Sequence, residues 1–325
     1  MTALRIVVIG GGFGGMASAA RLAKLGHDVT LLERSATLGG ALQPISADGF
    51  TWDAGPTTTL LPAVIRDLFR KSGRPLEPEL EPLDMIREHR FEDRSVLRLP
   101  SASRAAQIAA FDELGGLGGS WSAYVDAHSD TWDALRRGYL EQAWDPALSP
   151  PELTDLLGSR EMLHKRLRRV FKDERLRLVA SHPFVIDGHD LRNVPVWMGV
   201  TSYLEQTFGA WTVPGGLAAI GSALAERLAT RGVTVERDTP VLDIVVRDGR
   251  AVGVRTADGD LDADAVVCAI DPRRLPALAG AVHRTMPAIP PVVAHVGLEG
   301  EVPDLPHEVV LHGDPMLVVR TGGRA

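Results

Sequence analysis

Apolar positions near the start of the chain fall into two short runs separated by glycines and a helical stretch. Residues 4–9 are mostly β-branched and end in glycine, which is typical of a buried parallel strand. Residues 16–25 are rich in alanine and leucine and stop at Gly26, a common residue just after a helix. Residues 27–33 predict a second strand. Together they predict a βαβ unit with a right-handed crossover.

The middle of the chain has a helical pattern. A helix is predicted over residues 62–74, and the proline- and glutamate-rich residues 75–82 predict an exposed connection. Residues 101–177 are mainly helical in pattern, with interruptions at the glycines of 115–119 and at the prolines of 149–151. A helix-rich insertion is therefore expected here.

Strand patterns return later in the chain. A helix is predicted over residues 217–230, followed by short strands at 233–236, 241–247 and 251–256. Asp248-Gly249 and Asp258-Gly259 are strong hairpin signals. The pattern therefore predicts a β-meander that returns to a buried strand at 265–270, with further strand-like sequence after residue 290.

Composition and charge narrow the class of protein. The 325 residues are 45% hydrophobic and 24% charged, which is ordinary for a globular chain and long enough for about two domains. The formal net charge of −7 disfavours nucleic acid as a partner. The single cysteine, Cys268, excludes an intrachain disulfide and is expected in the core. No segment is long and apolar enough to span a membrane, so a cytoplasmic protein is expected.

A glycine motif lies between the first predicted strand and helix. Gly10, Gly12 and Gly15 follow the spacing GxGxxG, and Glu33 ends the next strand. In this motif the glycines allow a tight turn, a close approach to a pyrophosphate and close packing of helix on strand. The acidic residue accepts hydrogen bonds from ribose hydroxyls and disfavours a 2′-phosphate. The context predicts a dinucleotide site that is not specific for NADP.

A second glycine pair makes the pattern more selective. Gly39-Gly40 follows Glu33-Arg34, and the segment Asp53-Ala54-Gly55-Pro56-Thr57 comes soon after. With residues 8–15, 209–216, 253–254 and 263–267, these motifs resemble the flavin-dependent amine oxidase and phytoene desaturase superfamily, within it the phytoene desaturase-like carotenoid oxidoreductases. The likeness runs along nearly the whole chain. The N-terminal motifs are highly specific for FAD and moderately specific for a carotenoid substrate.

The resemblance implies an α/β fold with a Rossmann-like FAD-binding domain of the glutathione reductase type, a β-meander and an inserted α+β substrate domain. The FAD-binding domain would take residues 1–75 and 212–280, and the substrate domain residues 76–211 and 281–325. The cofactor-binding residues that it implies, by position in this sequence, are Gly10, Gly12, Phe13, Gly14, Gly15, Glu33, Arg34, Gly39, Gly40, Gly55, Pro56, Thr57 and Val241.

Two departures from the family's pattern stand out. A basic residue usually follows the second glycine pair, and here Ala41 takes its place, so that a cationic phosphate contact is lost or supplied elsewhere. Members of the family also continue into a C-terminal glycine-rich motif that closes over the flavin. This sequence ends at Ala325 without that motif, which implies a fragment or a short form.

The favoured function is an FAD-dependent oxidoreductase that desaturates a long apolar polyene such as a carotenoid precursor. Two alternatives are another flavoenzyme of the superfamily acting on an amine, and a truncated chain that binds a dinucleotide without catalysis. No catalytic residue is identified, because the flavin supplies the electron-accepting chemistry. No metal site is expected, since His182, His189 and His295 lack a ligating spacing.

Two further segments have competing interpretations. Residues 160–177 carry eight Lys or Arg and three acids, with apolar residues at helical spacing. They form either a core helix with a solvated basic face, the favoured interpretation, or a peripheral membrane contact. An aromatic-rich group either lines an apolar substrate tunnel or packs in the core: Trp197, Met198, Tyr203, Phe208 and Trp211.

Overall fold

A computed structural model of the protein describes residues 2–142, 145, 147–282, 286–300 and 304–321. In chain order its helices are α1 (Phe13–Lys24), α2 (Pro62–Ser72), α3 (Arg104–Glu113), α4 (Gly118–Asp126), α5 (Ser129–Leu135), α6 (Pro151–Leu157), α7 (Leu163–Val170), α8 (Glu174–Val185), α9 (Val200–Thr207), α10 (Ala218–Thr230) and α11 (Pro276–Val282). Its strands are β1 (Arg5–Ile9), β2 (Asp28–Leu32), β3 (Pro44–Ala47), β4 (Phe50–Asp53), β5 (Glu81–Pro82), β6 (Met85–Arg90), β7 (Val96–Pro100), β8 (Trp211–Thr212), β9 (Thr234–Glu236), β10 (Asp243–Arg247), β11 (Arg250–Thr256), β12 (Gly259–Asp262), β13 (Ala265–Cys268), β14 (Glu308–Leu311) and β15 (Leu317–Arg320).

The described residues divide into two compact units. The first is formed from the segments 2–81 and 211–282, and the second from the described residues of 82–210 and 286–321. Each unit contains its own sheet and buried apolar side chains. The content is mixed α/β, as the sequence predicts.

A parallel sheet lies at the centre of the first unit. Its strand order is β13-β1-β2-β9, and each neighbouring pair is parallel. Alternate residues of β1 point to opposite faces: Ile6 and Val8 pack with α1, α2 and α10, whereas Val7 and Ile9 pack with residues of β11, β13 and α11. The sheet is therefore covered on both faces, as parallel sheets require.

The β-meander predicted from the Asp-Gly pairs is confirmed. β10, β11 and β12 are antiparallel, and the pairs Arg247–Arg250 and Thr256–Gly259 close the two hairpins at the predicted turns. β13 then leaves the meander and pairs with β1. The prediction of a buried strand is wrong here, because the residues of β13, Cys268 included, are only half-buried at an edge of the sheet.

Two other predictions also need correction. α1 begins at Phe13, three residues before the predicted start, so that Gly12 is its N-cap residue and Gly15 lies in its first turn. Residues 75–82 are not an exposed connection throughout, because Leu80 is 3% exposed and belongs to the apolar core of the first unit. Two leucines among three prolines and three glutamates give too weak a periodic signal to predict this.

The second unit combines a helical core with a sheet of order β15-β14-β6-β7. The predicted helical stretch is confirmed in α3 to α8, with Trp121, Phe111 and Phe171 stacked in the core. The Trp121 indole donates to Gln107 Oε1 at 2.8 Å, so its polar atom is paired. On α7, Leu163 and Leu167 are buried while Lys165 and Arg168 are exposed, which agrees with a core helix carrying a solvated basic face.

Buried charges connect β6 to α9 in this unit. The Arg87 guanidinium donates to both carboxylate oxygens of Glu205, at 2.6 and 3.0 Å, and both side chains are at most 5% exposed. Arg87 Nε also donates to His89 Nε2 at 3.0 Å. This bond makes Nδ1 the protonated nitrogen of a neutral His89, which then donates to His312 Nε2 at 2.8 Å. Hydrogen bonding thus fixes the tautomers of a buried cluster.

Acid is expected to destabilise the second unit. Burial, with a smaller effect of nearby positive charge, lowers the pKa of both His128 and His312 to about 4, and burial lowers the pKa of His89 well below its usual range. The unfolded chain therefore binds more protons than the folded chain below pH 6.5. Stability is full above that pH and falls as the pH decreases towards 4, by about 2 kcal/mol at pH 5 for each fully buried histidine and less for half-buried His312. Urea unfolding at pH 7, 6 and 5 measures this loss.

A matched pair of substitutions tests the origin of that loss. Replacing buried His128 by leucine should flatten the pH dependence, whereas His189→Gln, at an exposed position of the same unit, should leave it unchanged. An equally steep decline in the His128→Leu variant would show that other groups cause the acid sensitivity.

Candidate nucleotide site

The glycine motif lies at the carboxyl end of β1, next to the ends of β2 and β13. The Gly10 N–H donates to the Leu32 carbonyl at 2.8 Å, and Gly10 has φ +99°, a conformation that glycine adopts at little cost. A Cβ on Gly10 would lie 2.5 Å from Ile270, just after β13. The tight turn expected at Gly10 is therefore present.

The glycines of the motif divide into packed and open positions. A Cβ on Gly15 would lie 1.9 Å from the Gly10 carbonyl oxygen, so only glycine lets α1 approach β1 this closely. In contrast, a Cβ on Gly12 would come no nearer than 4.0 Å to Gly40, and one on Gly14 would meet nothing within 4 Å. Gly15 serves packing, while Gly12 and Gly14 leave space where a ligand could approach.

The N-terminus of α1 is built without a side-chain cap. Gly12 is the N-cap residue, and the first turn, Phe13 to Gly15, contains no acidic side chain. The amides of this first turn have no acceptor within the helix, and the helix dipole makes this end positive. These properties suit a phosphate group.

Glu33 lies beside the glycine loop. Its Oε2 accepts the Gly11 N–H at 2.7 Å, and its Oε1 accepts the Ser35 N–H at 2.8 Å. Each carboxylate oxygen has a further lone pair, so both can still accept a bond from a hydroxyl group. The backbone thus holds the acidic side chain in place at the end of β2.

The second glycine pair, Gly39-Gly40, contacts the glycine loop that follows β1. Gly39 and Gly40 have φ +118° and +57°, and the Gly39 N–H donates to the Gly11 carbonyl at 2.8 Å. A Cβ on Gly40 would lie 2.9 Å from the Gly12 Cα. The two glycine loops therefore form one surface, and a side chain at position 40 would collide with the first loop.

A backbone hydrogen bond holds the segment that contains Val241 close to Glu33. The Thr239 N–H donates to the Glu33 carbonyl at 2.9 Å, two residues before Val241. The Val241 side chain packs on the apolar cluster that contains Val7, Ile9 and Leu32. The position expected to face an adenine thus lies next to the position expected to face its ribose.

The segment around Gly55 is held by different contacts. A Cβ on Gly55 would lie 2.5 Å from the Ala41 carbonyl, so this segment packs on the loop after Gly40. The Thr57 carbonyl accepts the Thr212 hydroxyl at 3.0 Å. Pro56 and Arg34 are exposed.

Asp53 has a structural role that the sequence pattern does not reveal. Its two carboxylate oxygens accept the N–H groups of Leu217 and Ala218, both at 3.0 Å, at the start of α10. A Cβ on Gly216 would lie 2.7 Å from the same carboxylate. The motifs at residues 50–57 and 209–216 are therefore parts of one capping arrangement. The acid lies more than 160 residues from the helix it caps, so local capping patterns could not predict it.

A parallel sheet with a glycine loop, a helix N-terminus and a carboxylate at its carboxyl edge defines the class of nucleotide-binding α/β proteins. The sequence pattern of one family within this class, flavin containing amine oxidoreductase, matches residues 13–315. The chain belongs to this family. The flavin cofactor and the oxidoreductase class that the sequence predicts agree with that membership.

Curated relatives include carotenoid enzymes. The chain is 34% identical over 265 residues to the neurosporene-forming phytoene desaturase of Cereibacter sphaeroides, covering 79% of this chain and 51% of that protein. It is 34% identical over 284 residues to the zeta-carotene-forming phytoene desaturase of Myxococcus xanthus, covering 82% and 53%. The chain thus spans about half the length of these relatives.

Solved structures share the fold. An oxidoreductase from Methanosarcina mazei superposes with a TM-score of 0.59 at 19% identity, covering 84% of this chain and 60% of that one. Putrescine oxidase bound to putrescine gives the same TM-score and coverage at 17% identity. At this identity the likeness concerns the fold alone.

The residues at the site fit a flavin dinucleotide. The open positions at Gly12 and Gly14 and the uncapped first turn of α1 suit a pyrophosphate, and the unused lone pairs of Glu33 suit a ribose. Among the described residues, no three His, Cys, Asp or Glu side chains form a metal-binding group. No helix in the described ranges is both long and apolar enough to cross a bilayer.

Proposed function

We propose that this chain forms the FAD-binding part, and some of the substrate-binding part, of an oxidoreductase that desaturates a long apolar polyene. The observation that carries the proposal is the surface of two glycine loops beside Glu33, in a chain 34% identical to two phytoene desaturases. The first unit would be the Rossmann-like FAD-binding domain of the glutathione reductase type. The second would be the inserted substrate domain.

In this proposal Gly10, Gly12, Phe13, Gly14 and Gly15 present backbone to the pyrophosphate, and Glu33 accepts the ribose hydroxyls. Gly39 and Gly40 have no side chains that would keep the cofactor away from the second glycine loop. The backbone of Val241 lies at the adenine, and Arg34 and residues 55–57 lie along the remainder of the cofactor. A bound flavin supplies the two-electron acceptor that desaturation requires.

The substrate class follows from sequence similarity. Two curated relatives at 34% identity are phytoene desaturases, whereas the likeness to putrescine oxidase concerns the fold alone. A polyene is therefore favoured over an amine.

The first test is a visible absorption titration of the purified chain with FAD. We expect a saturable, protein-perturbed flavin spectrum at one FAD per chain, followed by desaturation of added phytoene. Glu33→Gln should weaken FAD binding about tenfold or more, because a charge-assisted acceptor worth about 1.5–3 kcal/mol is lost.

A control variant separates cofactor binding from general damage. Glu236→Gln changes an exposed carboxylate in β9, the strand beside β2, and should leave FAD binding unchanged. A chain that remains folded but ignores added FAD would refute the proposed cofactor site, whereas FAD binding without polyene turnover would refute the activity of this chain alone.

We also propose a peripheral contact with anionic membranes through α7 and the residues that flank it. Lys165, Arg168 and Lys172 are exposed, while Arg166 and Arg169 share Glu161. Both leucines of α7, Leu163 and Leu167, are buried, so the contact would be electrostatic rather than inserted.

Vesicle sedimentation tests this contact. Reversing Lys165, Arg168 and Lys172 to glutamate should lower binding to vesicles containing phosphatidylserine about tenfold or more at physiological salt. Reversing exposed Arg247, Arg250 and Arg255 of the meander gives the same change in net charge and should have a smaller effect. Equal losses would show that net charge, not α7, governs binding.

A further inference from the structure

A cavity of about 390 Å³ lies within the second unit, between α4, α5, α6, α7 and the turn before α9. This volume falls in the range of small-molecule sites, about 300–1,000 Å³. Much of its wall is apolar, with Ala123, Ala127, Leu156, Val170 and Val196 among the lining residues. The apolar wall suits a hydrocarbon chain.

Two buried donors of this wall lack acceptors. The Trp197 indole Nε1 forms no hydrogen bond with any described residue. The Ser202 hydroxyl lies close enough to donate to the Tyr124 oxygen, but the O–H of Tyr124, a residue 5% exposed, has no acceptor among the described residues. Buried polar groups are nearly always hydrogen-bonded, and leaving one unpaired is costly. Both groups can donate, so they require an acceptor such as a ligand oxygen.

The charge around the cavity is positive. Arg166 lines it and uses Nε and Nη2 to bind Glu161, which leaves the two N–H groups of Nη1 available. Glu161 is shared with Arg169, so two cations face one acid. No Asp or Glu is among the described residues that line the cavity. An anion would be attracted here and a cation repelled.

Tyr124 and His128 both line the cavity and both lie close to Gly199, which has no side chain to separate them. A Cβ on Gly199 would lie 2.7 Å from the Tyr124 hydroxyl and 2.6 Å from His128 Nε2. Burial raises the pKa of Tyr124 above its usual range, although a hydrogen bond from the Ser202 hydroxyl lowers it in part, so Tyr124 stays a neutral donor. Any side chain at position 199 would crowd these two polar groups.

We propose that this cavity binds a carboxylate with a short apolar chain, such as a medium-chain fatty acid. The unpaired donors and Arg166 would bind the carboxylate, and the apolar wall would pack against the hydrocarbon chain of the ligand. A pure hydrocarbon would leave the Tyr124 and Trp197 donors unpaired. A phosphate dianion would have a single cation to balance its charge, Arg166, which already binds Glu161. The site does not involve the flavin, so it stands independently of the proposed oxidoreductase activity.

Isothermal titration of the full chain with decanoate, with and without FAD, tests the proposal. We expect saturable binding of one decanoate per chain in both conditions, and at least tenfold weaker binding of 1-decanol. Tyr124→Phe and Trp197→Phe should each weaken decanoate binding about fivefold or more while leaving the melting temperature unchanged or raised, because each removes an unpaired buried donor.

Tyr203→Phe is the matched control, since Tyr203 lies on α9 outside the cavity lining. It should leave decanoate binding unchanged. The proposal is overturned if decanoate does not bind saturably, if 1-decanol binds equally well, or if Tyr124→Phe lowers the melting temperature and leaves binding intact.

Discussion

Gly15→Ala is expected to destabilise the first unit by about 3 kcal/mol or more and to abolish FAD binding. The added methyl group would lie 1.9 Å from the Gly10 carbonyl oxygen and 3.2 Å from Ala269 Cβ. The nearest of these atoms is backbone, so no side-chain rotation relieves the collision. The helix would have to move away from β1, carrying the glycine turn with it. Urea unfolding and FAD titration of the same preparation measure both losses.

Neighbouring glycines provide graded controls. Gly14→Ala adds a methyl group in open space on the first turn of α1 and should keep or slightly raise stability. Gly12 has φ −75° and ψ −178°, which any residue adopts, so Gly12→Ala should also fold. Its methyl group would occupy the face left open for the pyrophosphate, and FAD binding should weaken. Equal destabilisation by all three substitutions would contradict the division into packed and open positions.

Arg87→Met is expected to lower the free energy of unfolding of the second unit by about 3–5 kcal/mol. The cost arises mainly from Glu205, whose buried carboxylate would lose both of its arginine hydrogen bonds. Adding Glu205→Met removes that stranded charge and should restore most of the stability. Recovery should fall short by about 1 kcal/mol, because His89 Nε2 still loses its donor. Urea unfolding of the two single variants and the double variant completes a double-mutant cycle and measures the free energy of unfolding of each.

An exposed ion pair in the same unit is the control for that cycle. Arg104 and Asp126 are each at least half-exposed, and Arg104→Met should barely change the unfolding midpoint. If Arg87→Met were equally mild, leaving the Glu205 carboxylate buried without its arginine would carry no large desolvation cost.

Local sequence signals predict the first unit well. The βαβ unit, the meander and α10 depend on patterns within about 30 residues: apolar periodicity, Asp-Gly turns and glycine punctuation. The site position at Val241 follows from family resemblance alone, because no local rule connects Val241 to Glu33. Its assignment to a cofactor stays a prediction, as does that of Gly39.

The second unit shows where such reasoning stops. β6 reads Met-Ile-Arg-Glu-His-Arg, and three consecutive charged or ionisable side chains, Arg87, Glu88 and His89, are buried there. A polar run in sequence indicates exposure, and partners on α9, on β6 and β7, and just after β14 make burial tolerable. Asp53 was missed for the same reason, because its partners are distant in sequence.

The strand order β13-β1-β2-β9 has a consequence for synthesis on the ribosome. When β1 and β2 emerge they can pair with each other, but both outer edges of that pair stay open, because β9 begins about 200 residues after β2 ends and β13 comes later still. At about 5–20 residues per second, this interval lasts about 10–40 s. During that time two apolar strand edges are available to other chains. We therefore expect nascent chains stalled before residue 234 to recruit chaperones and to aggregate when chaperones are depleted.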